Sequence, residues 1–275
     1  MTPDSATRER LAEAVLTLCR EAGERILRVY ARDFDVTSKD DDSPLTEADR
    51  AAHEHLAAAL PELEPALPVL SEEGGDIAFE TRRGWSAYWL VDPLDGTKEF
   101  IKKNGEFTVN VALIADGRPV LGVVHAPVLE RSWLGIEGSG AFREDEHGRR
   151  AVHTRRAGSG PWTAVVSRSH RGEQVDALLE RLPGFETTSM GSSLKFCLVA
   201  EGSADLYPRF GPTSEWDTGA AQCVVEAAGG AVLRLDATPL GYNRKASLLN
   251  PDFVAVGDTA VDWATLFDGF AVNER

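Results

Sequence analysis

The sequence contains few cysteines, and their spacing excludes a disulfide-stapled scaffold. Three occur in 275 residues, at Cys19, Cys197 and Cys223, and none forms a C-x-x-C pair. An odd number of widely separated cysteines is typical of reduced thiols rather than of a disulfide framework. We therefore expect three buried, unbonded thiols in a reducing compartment.

Long apolar runs and leader-like segments are absent as well. No run approaches the ~18 residues that a transmembrane helix needs. The first fifteen residues, MTPDSATRERLAEAV, are polar and charged, which is not the pattern of a secretory signal peptide. These absences predict a cytoplasmic protein without a transmembrane segment.

Basic residues are scarce relative to acidic ones. The chain has 29 Lys and Arg against 44 Asp and Glu, a formal net charge of −15. Nucleic-acid polymers and anionic membrane surfaces are bound through basic faces, so both are poor candidates for partners. A small anionic substrate stays open, provided that bound metal ions or a few cationic side chains attract it locally.

The remaining composition and the order of elements predict an α+β lobe fused to an α/β lobe. A hydrophobic fraction of 43% in 275 residues suits one large domain or two packed ones. Apolar periodicity predicts a helix over Ser5–Tyr30, and Thr46 suits the N-cap of a second helix from Glu47 to Leu60. Strands dominate up to residue 160, at Val69–Ser71, Ala87–Val91, Phe107–Ile114, Pro119–His125, Ser132–Ile136 and Gly140–Phe142. Beyond it strands at Thr163–Ser167 and Ala204–Tyr207 alternate with helices at Glu173–Arg181, Ser193–Ala200 and Asp217–Ala228. We expect lobes over residues 1–160 and 161–275.

The segment WLVDPLDGT (89–97) carries the clearest chemical signal. An apolar strand ending at Asp92 delivers that residue and Asp95 into a turn made by proline and glycine. Two carboxylates held close together repel unless a cation lies between them, and hard oxygen ligands suit Mg²⁺ or Mn²⁺. Gly96 and Thr97 could then offer N–H and hydroxyl groups to a phosphate. An ordinary strand-end turn has the same composition, so this segment alone leaves both interpretations open.

Acidic residues in three further segments strengthen the metal interpretation when they are taken together. Glu72 and Glu73 follow an apolar strand, whereas Asp49 and Asp217 lie near predicted helix starts. Each alone is explained by a solvated turn or by a helix dipole. Together they supply enough carboxylate for two or three divalent ions, an arrangement suited to in-line attack on phosphorus.

These motifs carry a family resemblance. LTEAD (45–49), SEE (71–73), DPLDGT (92–97) and WDTGAAQCVVEAAGG (216–230) resemble the inositol-monophosphatase-like superfamily of magnesium-dependent phosphatases. The runs 89–114, 192–218 and 167–170 are similar to its bacterial CysQ branch of 3′(2′),5′-bisphosphate nucleotidases. The resemblance spans residues 40 to 255 and implies a layered αβαβα sandwich of the sugar phosphatase type.

The resemblance also implies a role for individual residues. Implied metal ligands are Glu72, Asp92, Asp95, Asp217 and the carbonyl of Leu94, binding two or three Mg²⁺ ions, with Mn²⁺ as an alternative. Asp49 and Thr97 match the pair that activates the attacking water, and Gly96 and Thr97 match phosphate-binding positions. Implied substrate contacts are Lys195 and Arg209, with Ser192 and His170 beside them.

The implied reaction is hydrolysis of the 3′-phosphate of 3′-phosphoadenosine 5′-phosphate (PAP) to AMP and phosphate. The resemblance also implies attack by a metal-activated water, inhibition by lithium, a homodimer and a place in sulfur assimilation.

Three alternatives stay open. An inositol monophosphatase or fructose-1,6-bisphosphatase would use the same acids. Lys195 and Arg209 discriminate, because a nucleotide bisphosphate carries a second phosphate to hold and an inositol monophosphate does not. The S-x-x-K run from Ser192 to Lys195 matches one motif of acyl-serine hydrolases, although the S-D-N and K-T-G motifs are missing. A non-catalytic protein that binds metal and nucleotide would have the same ligands without turnover.

Overall fold

The computed structural model describes residues 3–32, 44–167, 172–273 and 275. In these ranges two β-sheets alternate with three layers of helices. The predicted layered αβαβα sandwich is thus confirmed. The first sheet takes its strands from residues 69–152 and the second from residues 162–256. The division into lobes at residue 160 stays a prediction.

The first sheet is mostly antiparallel and continuous along the chain. Within the described ranges it has seven strands, which span Val69–Ser71 (β1), Ala87–Asp95 (β2), Thr108–Ala115 (β3), Arg118–Ala126 (β4), Arg131–Ile136 (β5), Gly140–Asp145 (β6) and Gly148–Val152 (β7). Neighbours in sequence are neighbours in space, and only β1 and β2 pair in parallel. The ends of β1 and β2 therefore lie at the same edge of the sheet.

The second sheet is mixed. Its five described strands span Trp162–Val166 (β8), Phe185–Ser189 (β9), Leu206–Arg209 (β10), Ala231–Arg234 (β11) and Phe253–Val256 (β12). Their spatial order is β11-β12-β10-β8-β9, with parallel pairing of β8 to β9 and β10 and antiparallel pairing of β12 to β10 and β11.

Helices cover both outer faces and fill the space between the sheets. Those described span Ser5–Tyr30 (α1), Pro44–Ala59 (α2), Phe79–Arg82 (α3), Thr97–Ile101 (α4), Glu173–Leu179 (α5), Leu194–Ala200 (α6), Gly219–Ala227 (α7) and Trp263–Phe267 (α8). α1 and α2 pack on the outer face of the first sheet, α6 and α7 lie between the sheets, and α5 and α8 cover the second sheet.

Helix α1 has the bounds that its apolar periodicity predicts. Asp4 caps it by accepting a hydrogen bond from the Thr7 backbone N–H at 2.8 Å. Its apolar stripe, including Leu11, Val15 and Ile26, is fully buried against the first sheet. Tertiary packing of one face stabilises a helix of this length more than propensity does.

Helices α2 and α7 begin at residues other than the predicted ones. α2 starts at Pro44, so Thr46 lies inside the first turn and is not the N-cap; proline is favoured there because its missing N–H has no helical partner. The predicted helix from Asp217 is divided by Thr218, which has φ −120°. A 3₁₀ turn over Glu215–Asp217 precedes it, and α7 starts at Gly219.

The three cysteines are free and buried, as predicted. None of the helices in the described part of the chain is long and apolar enough to cross a membrane.

The middle layer depends on two glycines that let α7 approach the first sheet. A Cβ atom on Gly122 of β4 would come within 2.2 Å of the Ala220 carbonyl oxygen, and one on Gly135 of β5 within 2.5 Å of the Cys223 backbone. The Cys223 thiol lies 3.3 Å from the carbonyl oxygen of Gly135. Any side chain at either glycine would push α7 away from the sheet.

We expect Gly122→Ala to lower the free energy of unfolding by about 1–3 kcal/mol because it overpacks this contact. Urea denaturation measures the change. Gly160→Ala is the matched control, since a Cβ atom there meets nothing within 4 Å, and its effect should stay within about 0.5 kcal/mol. Equal stability of the two variants would contradict the account of the middle layer.

Candidate active site

A β-bulge in β2 brings Asp92 and Asp95 to the same place. Asp92 pairs with Asn110 on β3 whereas Asp95 pairs with Thr108, so β2 has one more residue than its partner between these pairs. Residues three apart on a regular strand point to opposite faces, and the extra residue of a bulge re-aims the chain. The strand thus does not end at Asp92, as the sequence predicted, but continues through the bulge to Asp95.

Carboxylates from three separate segments meet beside this bulge. One oxygen each of Glu72, Asp92 and Asp217 lies within 4.8 Å of the other two. Glu72 begins a 3₁₀ turn directly after β1, and Asp217 ends the 3₁₀ turn before α7. Asp92 is 1% exposed, whereas Glu72 lies at the solvent-facing rim. The structure therefore brings together three of the four predicted carboxylate ligands at metal-binding separation.

Asp95 lies next to this group and is fixed by two residues that the sequence did not single out. Its Oδ2 accepts hydrogen bonds from Ser193 Oγ at 2.7 Å and from Asn110 Nδ2 at 3.3 Å. Asn110 also donates to Ser193 Oγ at 3.0 Å, and both residues are 1% exposed. A lone asparagine in the apolar strand TVNVALI (108–114) was the available signal for Asn110, since buried polar groups need partners.

Asp49 approaches the same group from α2. Its Oδ1 is buried and has no hydrogen-bond partner among the described residues. Burial, followed by the negative charges of Glu73 and Glu72, raises the Asp49 pKa to about 8. An unpartnered buried carboxylate oxygen normally needs a ligand, and a cation or an ordered water would supply one.

The cluster concentrates negative charge around the buried carboxylate of Asp92. Burial raises the pKa of Asp92 well above its ordinary value, and Asp95, Glu72 and Asp217 raise it further. The pKa values of Glu72 and Asp217 rise to about 7 through partial burial and the charge of Asp95. Like charges this close favour a cation between them, and oxygen donors of this kind fit Mg²⁺ or Mn²⁺.

The backbone after the bulge leads directly into α4. Leu94 lies in the bulge, and its N–H donates to Asp92 Oδ1 at 3.1 Å. Gly96 has φ 103° and packs against Phe107, so a side chain there would be both strained and crowded. Thr97 is the exposed first residue of α4. In the described residues no hydrogen bond joins Thr97 to Asp49, so that predicted pair is not assembled by direct contact.

A cleft next to the acids contains the predicted substrate residues. Its lining includes Asp95, Gly96, Ser192, Lys195, Arg209 and Asp217. Lys195 is 8% exposed and lies 5.4 Å from the Tyr207 ring centroid, and Arg209 donates to the Pro212 carbonyl at 2.9 Å. Burial lowers the pKa of Lys195, and the charge of Asp95 opposes this. His170 lies outside the described residues.

The geometry at Ser192 disfavours an acyl-serine hydrolase. Lys195 Nζ donates to the Ser192 backbone carbonyl at 2.6 Å rather than to its hydroxyl. Ser192 itself has φ 44°, and its Oγ lies 3.5 Å from the Leu194 N–H. A nucleophile needs its base within hydrogen-bond reach of the reacting oxygen.

Comparison with known proteins shows the family of this chain. Residues 7–269 match the model of the inositol monophosphatase family. The chain is 51% identical over 245 residues to the 3′(2′),5′-bisphosphate nucleotidase CysQ of Salmonella typhimurium, covering 88% of this chain and 98% of the relative. It is 50% identical over the same length and coverage to the CysQ of Escherichia coli K12.

Solved structures show the same fold. A crystal structure of CysQ from Bacteroides thetaiotaomicron matches with a TM-score of 0.80 and 43% identity. The match covers 90% of this chain and 97% of the chain in that structure. An inositol monophosphatase from Zymomonas mobilis has a TM-score of 0.75 and 25% identity, with coverage of 94% and 96%. The resemblance that the acidic motifs predicted is confirmed, and this chain belongs to the inositol monophosphatase family, in its CysQ branch.

Proposed function

We propose that the protein hydrolyses the 3′-phosphate of PAP to give AMP and phosphate. The observation that carries this proposal is the shared cleft, whose lining contains both the acids Asp95 and Asp217 and the cations Lys195 and Arg209. The acids suit a metal-assisted reaction at one phosphate, and the two cations suit a second phosphate on the same substrate. The CysQ relatives are 3′(2′),5′-bisphosphate nucleotidases, which supports the same substrate class.

The carboxylates would hold the metal ions. Glu72, Asp92 and Asp217 form the compact group, with Asp95 and the carbonyl of Leu94 beside it. Mg²⁺ bound there would lower the pKa of a water ligand and offset the charge of the phosphate. Ser193 and Asn110 hold the Asp95 carboxylate in one orientation through the hydrogen bonds to its Oδ2.

Asp49 is suited to receive the proton of the attacking water. Its Oδ1 has no partner among the described residues, and its pKa of about 8 lies near neutral pH. General bases work best when their pKa lies near the operating pH. Thr97, at the start of α4, would orient the water with its hydroxyl, and the N–H groups that follow Gly96 would contact the phosphate.

Lys195 and Arg209 would bind the 5′-phosphate. The ammonium group of Lys195 is held in place by the Ser192 carbonyl, so its position is set before substrate enters. A preorganised donor in a sheltered cleft binds an anion more strongly than a mobile surface lysine. An inositol monophosphate has no second phosphate to use this site, which favours a bisphosphate over that alternative.

The finer expectations about physiology stay predictions. These are lithium inhibition, two or three ions rather than one, a homodimer, a cytoplasmic location and a place in sulfur assimilation. Three free, buried thiols are compatible with a reducing compartment.

Phosphate release by the purified protein with Mg²⁺ tests the proposal. At equal low concentrations, we expect PAP to be hydrolysed faster than inositol 1-phosphate or fructose 1,6-bisphosphate. We also expect Lys195→Ala to raise KM for PAP about tenfold or more, because a charged hydrogen bond is lost, and to leave KM for p-nitrophenyl phosphate almost unchanged.

Lys102→Ala is the matched control, because Lys102 is exposed outside the cleft. It should behave like the wild type on every substrate. Preference for an inositol or sugar phosphate, or an equal effect of Lys195→Ala on both substrates, would favour the sugar phosphatase alternative.

We expect Asp95→Asn to lower kcat with PAP by at least about 100-fold, because it removes a charge from the reacting centre. Circular dichroism should show an intact fold. Asp145→Asn is the control, since Asp145 is likewise half-buried but pairs with Arg143 at 2.7 Å outside the site. Near-normal turnover of Asp95→Asn at saturating Mg²⁺ would refute the assignment of this residue.

Stability should depend on pH and on Mg²⁺ together. The pKa values of about 8 for Asp49 and about 7 for Asp217 lie above the ~4 of unfolded carboxylates. The folded state therefore binds more protons, and without metal its stability should fall as pH rises from 6.5 to 8.5. Mg²⁺ binds the deprotonated form, so the increase in Tm that Mg²⁺ causes relative to EDTA should be larger at pH 8.5.

Thermal unfolding at the two pH values measures this difference. Asp217→Asn should reduce the Mg²⁺-dependent shift strongly, whereas Asp145→Asn should preserve it. A shift of the same size at both pH values would count against a metal site built from these carboxylates.

A further inference from the structure

The segment that presents Asp217 is too short to hold its own shape. It is a three-residue 3₁₀ turn, closed by hydrogen bonds between Ser214 and Asp217. Such a turn has few internal hydrogen bonds and depends on its surroundings for a fixed position. The location of the Asp217 carboxylate is therefore decided by what anchors the turn.

Glu215 anchors this turn to the loop of residues 243–248. It is 2% exposed and does not line the cleft. Its two carboxylate oxygens accept hydrogen bonds from the Asn243 backbone N–H at 2.9 and 3.0 Å. Its own N–H donates to the Leu248 carbonyl at 2.8 Å. The loop from residue 243 to 248 thus holds the turn at two points.

Asn243 connects Glu215 to a buried arginine. Its Oδ1 accepts a hydrogen bond from Arg82 Nη1 at 2.5 Å, and its Nδ2 donates to the Arg82 carbonyl at 2.6 Å. Asn243 has φ 54°, a conformation that asparagine tolerates better than most residues. The Asn243 side chain therefore ties the loop to both the side chain and the backbone of Arg82, the last residue of α3.

Arg82 itself is held firmly. It is 1% exposed, donates to the Ala246 carbonyl, and lies 5.0 Å from the Phe79 ring centroid. A buried arginine needs a compensating acid, and Glu215 is the buried carboxylate at the other end of this chain of contacts. Removing one member of such a network leaves the others unsatisfied.

We propose that Glu215, Asn243 and Arg82 are positioning residues that set the place of Asp217 within the metal site. The inference rests on the proposed function, because it takes Asp217 as a metal ligand. None of the three contacts the cleft. They act by fixing the turn from behind, so that Asp217 stays within reach of Asp92 and Glu72 despite the repulsion between these carboxylates.

Binding of Mn²⁺ to the full chain without substrate tests the proposal. Mn²⁺ has an electron paramagnetic resonance signal that reports free ion, so Kd is measured independently of turnover. We expect Glu215→Ala to raise the Kd for Mn²⁺ at least tenfold. Glu215→Gln and Asn243→Gly should raise it less, because the first keeps one acceptor and the second keeps the N–H and the backbone conformation.

Asp205→Ala is the control for a purely structural effect. Asp205 is also a buried carboxylate, 5% exposed, and it pairs with Arg155 at 2.6 Å and accepts from the Thr163 N–H at 2.6 Å on the second sheet. Its loss should lower Tm and leave the Kd for Mn²⁺ within twofold of the wild-type value.

The outcomes separate the inference from the proposed function. If Glu215→Ala and Asn243→Gly lower Tm but keep Kd within twofold, the inference is overturned and the metal site stands. If Asp205→Ala raises Kd as much as Glu215→Ala, the effect is general loosening and the inference is again overturned. A wild-type protein that binds no Mn²⁺ would overturn both the metal site and the inference.

Discussion

Repulsion between carboxylates gathered at the end of β2 is the constraint on which this molecule depends. Asp92 is almost fully buried, and the charge of Asp95 raises the pKa values of Asp92, Glu72 and Asp217 beyond the effect of burial. Such a group is unfavourable by itself, since isolated charges lose much of their hydration on burial. A protein that keeps it needs a cation to offset the charge and a rigid frame to resist the repulsion.

The backbone that holds these acids departs from regular helix and strand geometry. Asp92 and Asp95 flank a bulge, Glu72 starts a 3₁₀ turn after β1, and Asp217 ends another before α7. Parallel pairing of β1 with β2 places the first two segments at one edge. The third arrives from the middle layer, which also supplies the cleft containing Lys195. The site therefore forms where the first sheet meets the central helices.

Close packing of the middle layer gives this arrangement its precision. Helix α7 lies against Gly122 and Gly135 with no room for a side chain between them. The network from Glu215 to Arg82 extends the same principle to the turn that precedes the helix. Ser193 and Asn110 fix the Asp95 carboxylate in the same way, by donating hydrogen bonds to its Oδ2. The acids are held by partners that do not themselves carry the chemistry, which is how a strained charge cluster keeps its geometry.

Apolar periodicity and short motifs are local signals, and they predicted the bounds of α1, most strands and the acids that meet beside the bulge. The sequence did not reveal the bulge in β2, the start of α2 or the break before α7, where backbone conformation depends on neighbours distant in sequence. It also missed β7 and β9, which are mostly polar and exposed, and the four-residue strands β11 and β12. The contacts of Ser193 and Asn110 with Asp95 became visible only in three dimensions. Hydrogen bonds between residues 83 apart leave no local pattern, because folding of the whole chain brings their partners together.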